Sequence, residues 1–130
     1  MRVLLVSRID NREALAFIGE IRTLLAKDGC DVILDRDTAS SVGTEGIPLA
    51  DAQADVAIVV GGDGTILRTI QQMNRPAPVI GVNWGEVGFL ADLEPDEAIP
   101  FIRSLPQGFS VEERMRIELR KDGKVLGTAL

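Results

Sequence analysis

Gly61-Gly62-Asp63-Gly64-Thr65 follows directly on the apolar run Val56-Ala57-Ile58-Val59-Val60. One carboxylate stands among bare glycines, with a hydroxyl close by. Paired glycines predict a sharp turn, and they let a bulky anion approach the peptide N–H groups. Asp63 can then act in two ways. It can share a divalent cation with a nucleotide phosphate, which its own charge would otherwise repel. Alternatively it faces a neutral hydroxyl and orients it for attack on phosphorus. A carboxylate of ordinary pKa is a weak base for an alcohol, so that role is chiefly positioning, with the proton moving late. Plain structural roles compete with these: a tight turn for the glycines and a helix cap for Asp63. Thr65 caps the helix or touches a phosphate. Arg68, about one helical turn on, is solvated or reaches an anion near the loop.

Two common phosphate cradles are ruled out. A Walker loop needs a lysine and a hydroxyl after its last glycine, and neither Gly64-Thr65-Ile66 nor Gly88-Phe89-Leu90 supplies them. A dinucleotide fingerprint needs a glycine where Leu67 stands. A second glycine-rich stretch runs from Asn83 through Trp84, Gly85 and Gly88 to Phe89 and Leu90. Its glycines could clear space for a flat base against Phe89. In the competing reading Phe89 and Leu90 enter the core and Trp84 covers an edge.

The elements that must position these residues follow from periodicity. Arg2 to Ser7, Val32 to Leu34, Asp55 to Val60 and Val79 to Val82 read as strands. Asp10 and Glu13 are spaced as a helix-capping pair, with Asp10 at the cap. Ala14, Phe17, Ile18, Ile21, Leu24 and Leu25 share one helical face, and Gly29 ends that helix. A second helix starts near Thr65, carries Ile66, Leu67, Ile70 and Met73, and stops at Pro76 and Pro78. A third begins at Pro95, runs to about Leu105 and is open to a kink at Pro100. Asp92, Glu94, Asp96 and Glu97 read as helix-start and surface carboxylates. Residues 35–54 show no clear periodicity and read as a long loop with at most a helical turn.

This alternation predicts an α/β fold: a parallel sheet with helices on both faces, three-layer and Rossmann-like, over residues 1–109. Ligands on such sheets bind beyond the carboxyl ends of the strands, where both glycine stretches lie. The pattern then changes. Met115, Ile117 and Leu119 alternate with charged residues, and Lys121-Asp122-Gly123-Lys124 suits a hairpin turn. Residues 110–130 are therefore expected to be the first hairpin of a C-terminal antiparallel β domain that continues beyond this sequence.

Composition narrows the partners. The net charge is −6 with no basic stripe, which argues against nucleic acid and anionic membrane surfaces. The lone Cys30 excludes an internal disulfide. The opening Met1 to Ser7 is too short an apolar run for a signal peptide or membrane span, so a cytoplasmic location is expected. With no histidine, acid–base work falls to carboxylates, lysines or water.

With both motifs in place the sequence resembles the NAD kinase family, whose members use ATP or polyphosphate. Gly61 to Thr65 matches the first family motif in full, within the longer stretch Gly61 to Arg68, and Gly81 to Leu90 matches the second. The first is shared with diacylglycerol and sphingosine kinases; the second narrows the match. The resemblance implies transfer of phosphate to the adenosine 2′-hydroxyl of NAD, giving NADP, with Mg²⁺ or Mn²⁺. It implies Asp63 as proton acceptor and Gly64 and Arg68 as NAD contacts. Phe89 and Leu90 would line the adenine site, with Gly61 and Gly62 near the donor phosphates. Thr65, Asn83 and Gly85 belong to the same nucleotide-binding set. No protein residue is expected as a dedicated metal ligand. Family members pair an N-terminal α/β domain with a C-terminal β domain and assemble as homodimers or homotetramers. Two departures stand out. Trp84 fills a variable position that is commonly smaller or basic. The family's Asn-Glu or Asn-Asp pair is absent, so the 130-residue chain is expected to have negligible kinase activity alone. Two alternatives are a lipid kinase of the diacylglycerol or sphingosine type and a non-catalytic nucleotide-binding module.

Overall fold

A computed structural model describes residues 1–84 and 90–105. Four strands, β1 (Arg2–Ser7), β2 (Asp31–Leu34), β3 (Val56–Gly61) and β4 (Val79–Asn83), form one sheet in the order β2-β1-β3-β4. Every pairing is parallel, with Leu4 opposite Ala57, Leu5 opposite Leu34, and Gly61 opposite Asn83. The helices are α1 (Arg12–Lys27), α2 (Arg36–Ser41), α3 (Asp63–Gln72) and α4 (Pro95–Ser104), with a 3₁₀ turn at Leu49–Asp51.

Both faces of the sheet are covered, which is why Val3 to Val6 of β1 and Val56 to Val60 of β3 are apolar without alternation. Val3 and Leu5 of β1 join Val56, Ile58 and Val60 of β3 on one face. There they meet Ala14, Ile18, Ile21 and Leu25 of α1, and Ala98 and Ile102 of α4. Leu4, Val6, Ala57 and Val59 turn to the opposite face, against Ile66 of α3, Met73, Leu49 and Ala52. Fully burying each leucine or isoleucine stabilises the fold by about 1.5–3 kcal/mol. The three-layer expectation for the α/β part holds.

Local signals needed correction in several places. Asn11, not Asp10, caps α1: its backbone is extended, and its Oδ1 accepts from Ala14 N–H at 2.9 Å. Asp10 is drawn away by Arg8, whose Nε and Nη2 donate to its two oxygens at 2.7 and 3.0 Å. That pairing holds the exposed Asp10 carboxyl below its ordinary pKa. Gly29 does end α1, at φ +85°. The unpatterned stretch 35–54 contains α2 and the 3₁₀ turn. Alpha2 is fixed by a tertiary contact: Thr38 Oγ1 accepts from Ser7 N–H at 2.9 Å. Alpha4 has the expected Pro95 start, with Glu94 N–H donating to Glu97 Oε1 at 2.8 Å, and continues through Pro100.

Single-residue returns run beside the two outer strands. Ile47 N–H donates to Leu34 O at 2.9 Å, making a parallel bridge beside β2. Beyond β4, Leu93 N–H donates to Gly81 O at 3.0 Å and Asn83 N–H to Leu93 O at 2.8 Å. The hairpin expected over residues 110–130 and the domain boundary at 109–110 lie outside the described residues. No helix among the described residues is long and apolar enough to cross a membrane.

Candidate active site

The strand order reverses between β1 and β3, and ligands on open parallel sheets bind beyond the carboxyl ends of the strands at such a point. Gly61 is the last residue of β3, Gly62 is the N-cap of α3, and Asp63 is its first helical residue. The helix thus starts two residues before Thr65, with an acid in its first turn, where the helix dipole favours negative charge. Thr65 is not the cap. The capping position is glycine, with no side chain to fill the role.

The glycines serve space rather than unusual backbone angles. Among the described residues only Gly29 and Gly43 have positive φ, and Gly62 is extended at φ −103°, ψ −169°. A Cβ on Gly61 would stand 2.9 Å from Thr65 Oγ1. One on Gly81 would stand 2.7 Å from Ile66 Cδ1 and 3.0 Å from Ala91 Cα. These two glycines let α3 and the chain around Ala91 close down on the strand ends. Among the described residues, a Cβ on Gly62 or Gly64 would meet nothing within 4 Å. Exposed peptide groups at a helix N-terminus make a ready seat for phosphate.

Half-buried Asp63 accepts a hydrogen bond at Oδ1 from Leu90 N–H, at 3.0 Å. The two glycine-rich stretches therefore meet at the carboxylate. Leu90 itself packs against the second core cluster. Trp84 packs on the first, its ring 5.1 Å from Phe17, as the edge-covering reading expected. Trp84 N–H donates to Gly61 O at 3.1 Å, tying the end of β4 to the end of β3. Asn83, opposite Gly61, donates from Nδ2 to Glu94 Oε2 at 3.1 Å, while its buried Oδ1 has no hydrogen-bond partner. Gly85 and Phe89 lie outside the described residues.

Arg68 faces a different environment. It lines a cavity of about 500 Å³ with Asp35, Pro48, Leu49 and Gln71, a wall that includes none of Gly61 to Thr65. Asp35 is buried there with Oδ1 unpartnered. Burial pushes its carboxyl pKa up, against opposing pulls from hydrogen bonding to Thr38 and, more weakly, from the Arg68 charge. Sequence reasoning missed one contributor to the surroundings of Asp63: the backbone N–H of Leu90, which no residue type reveals.

An open parallel sheet with helices on both faces, and a glycine turn and an acid at its switch point, defines a doubly wound α/β domain. The model of the ATP-NAD kinase N-terminal domain matches residues 3–108, and the chain belongs to that family. It is 54% identical over its whole length to an NAD kinase of Methanoregula boonei, of which it covers 48%. It is 47% identical to an NAD kinase of Methanoculleus marisnigri, again covering 48%. The chain thus spans about half the length of these relatives. Among solved structures, yeast NADH kinase complexed with NADH aligns at TM-score 0.71 and 20% identity, over 88% of this chain and 38% of that one. An Archaeoglobus fulgidus NAD kinase in complex with ATP aligns at TM-score 0.59 and 24% identity, over 85% and 39%. At these identities the two structures speak for the fold.

Proposed function

We propose that this chain is the N-terminal half of an NAD kinase, transferring phosphate from ATP or polyphosphate to the adenosine 2′-hydroxyl of NAD. The observation that carries the reading is Asp63, held by Leu90 N–H beside the bare Gly62 and Gly64 at the strand-order reversal. Phosphoryl transfer requires mainly positioning and charge stabilisation. Asp63 would accept a hydrogen bond from the sugar hydroxyl, orient it, and take its proton late. The N-terminus of α3 would draw in phosphate oxygens. Gly64, Thr65, Asn83, Gly85, Phe89 and Leu90 would complete the nucleotide contacts, with Gly61 and Gly62 nearest the donor phosphates and Arg68 reaching in from the neighbouring wall it shares with Asp35. The unpartnered Asn83 Oδ1 and the bare Gly62 support a polar ligand at this end of the sheet.

A Mg²⁺ or Mn²⁺ ion would neutralise phosphate charge when bound. Among the described residues no three histidine, cysteine or acidic side chains gather as a metal site. The ion would be carried mainly by the nucleotide's own phosphates and water, with Asp63 the carboxylate at hand. The remaining NAD contacts would come from a C-terminal β domain, with a homodimer or homotetramer as the working assembly and the cytoplasm as its location.

The test is NADP formation by the natural full-length polypeptide, with NAD and lipid acceptors assayed in parallel. Asp63→Asn keeps an oxygen for Leu90 N–H but removes the charge. General-base loss predicts a fall in kcat of about 10²–10⁴ with the fold retained. An Asp63→Asn enzyme with kcat within threefold of the parent would refute the role, and phosphorylation of diacylglycerol but not NAD would favour the lipid-kinase alternative.

A further inference from the structure

We propose that Glu94 is a positioning residue for Asn83. Its carboxylate turns the Asn83 carboxamide so that the carbonyl oxygen faces inward, to take a neutral O–H or N–H donor of the bound nucleotide. The claim rests on the kinase reading above.

Asn83 closes β4, opposite Gly61 at the end of β3. Successive side chains on a strand point to opposite faces. Val79 belongs to the cluster that packs with Ile66 of α3, and a Cβ on Gly81 would point at Ile66 Cδ1. Asn83 is next on that side, so its side chain leaves the sheet on the face where α3 begins with Asp63. Glu94 arrives from the outer edge of the sheet instead. Leu93 is bonded beside β4, accepting from Asn83 N–H and donating to Gly81 O, and Glu94 follows it as the N-cap of α4. The Glu94 N–H is held by Glu97 Oε1 at 2.8 Å. Its C=O accepts from Glu97 N–H at 2.9 Å and from Ala98 N–H at 3.1 Å. From this fixed backbone the carboxylate accepts from Asn83 Nδ2 at 3.1 Å.

That one bond decides which way the amide points. A carboxylate only accepts, whereas a carboxamide carries donors on one arm and an acceptor on the other. Reversing the amide would set two acceptors face to face. Glu94 therefore keeps the NH₂ group at the sheet edge and leaves the oxygen on the arm turned away from it. There Oδ1 is buried and has no hydrogen-bond partner. A buried acceptor left unpaired costs stability, which a donor from a ligand recovers. Unprotonated phosphate oxygens cannot supply that donor; a sugar hydroxyl or a base amino group can. Glu94, which reads from sequence as a helix-start carboxylate, thus also sets the polarity of a group beside the glycine turn.

The test is calorimetric titration of NAD into the natural full-length polypeptide and its variants. Asn83→Leu removes the oxygen and should weaken NAD binding about tenfold. Glu94→Ala frees the amide to reverse and should weaken binding about threefold. The double variant should bind no more weakly than Asn83→Leu, because Glu94 acts through Asn83. Glu97→Ala loosens the same helix start without touching the amide, and should bind NAD like the parent. Glu94→Gln can pair with either arm of the amide and should fall between parent and Glu94→Ala; it carries the test if the alanine variant does not fold. Parent affinity in the Glu94 variants, losses that add in the double variant, or an equal loss in Glu97→Ala overturns the proposal.

A second readout needs no nucleotide. The side-chain NH₂ signals of Asn83, followed by NMR in the same polypeptide, should move in Glu94→Ala and stay in place in Glu97→Ala. Unmoved signals in Glu94→Ala also overturn the proposal. A parent that binds no NAD would instead overturn the kinase reading and leave the NMR result on the orienting bond standing.

Discussion

Gly64→Ala separates a glycine kept for a ligand from one kept for the fold. Gly64 is the second residue of α3, is exposed, and a Cβ there would meet no atom within 4 Å. Replacing a helical glycine by alanine gains about 0.5–1 kcal/mol. For a domain of this size that raises Tm by roughly 2–8 °C. On the proposed kinase reading, the added methyl stands where a phosphate or ribose approaches the peptide groups, and nucleotide affinity should fall by about tenfold or more, or about 1.4 kcal/mol. Gly61→Ala makes the opposite prediction. Its methyl would press on Thr65 at 2.9–3.0 Å, and overpacking of this kind costs about 1–3 kcal/mol. Urea unfolding followed through Trp84 gives the stabilities, and calorimetric titration with ATP and NAD on the full-length polypeptide gives the affinities. A Gly64→Ala protein that is more stable and binds both nucleotides like the parent would refute the argument that this backbone is left bare for ligand.

Two further predictions concern the fold. Asp35 has a folded-state pKa above its ordinary 3.8, so the native state binds more protons than the unfolded chain as pH rises from that value. Stability should therefore decline with rising pH across that window and level off above the raised pKa. Asp35→Asn should flatten the decline, as read by urea midpoints between pH 3.8 and neutrality; an identical slope in the variant would contradict it. Asn11→Ala should cost about 1 kcal/mol by removing the α1 cap, whereas Asp10→Ala should leave the urea midpoint nearly unchanged. The reverse order would restore Asp10 as the cap.

The parallel sheet was legible because β1 and β3 are buried on both faces, so their apolar runs carry the signal without alternation. Alpha1 was equally plain, since Ala14, Ile18, Ile21 and Leu25 repeat at helical spacing. The start of α3 was misread because Gly64 is a poor helix former; the helix forms around it through Ile66, which packs under the sheet. Asp10 and Asn11 are both good caps, and the pairing of Asp10 with Arg8, two residues before it, leaves the role to Asn11. Alpha2 is six residues long, and what fixes it is the Ser7–Thr38 contact, 31 positions apart in sequence. At the site, Asp63 and its glycines stood out by type. The role of Leu90 did not, because a backbone N–H is common to almost every residue. Arg68 was read toward the glycine turn from its one-turn spacing, but the helix turns it to the wall shared with Asp35.

The short returns at Ile47 and Leu93 have a consequence for how copies of this domain meet. An open parallel sheet normally offers two rows of unsatisfied peptide groups on which a foreign strand can grow. Here the polypeptide doubles back beside both rims and occupies peptide groups at the carboxyl end of each. Lateral zippering of one molecule onto another is obstructed at the very end where the candidate site lies. Association that leaves the site clear is therefore directed to the helical flanks.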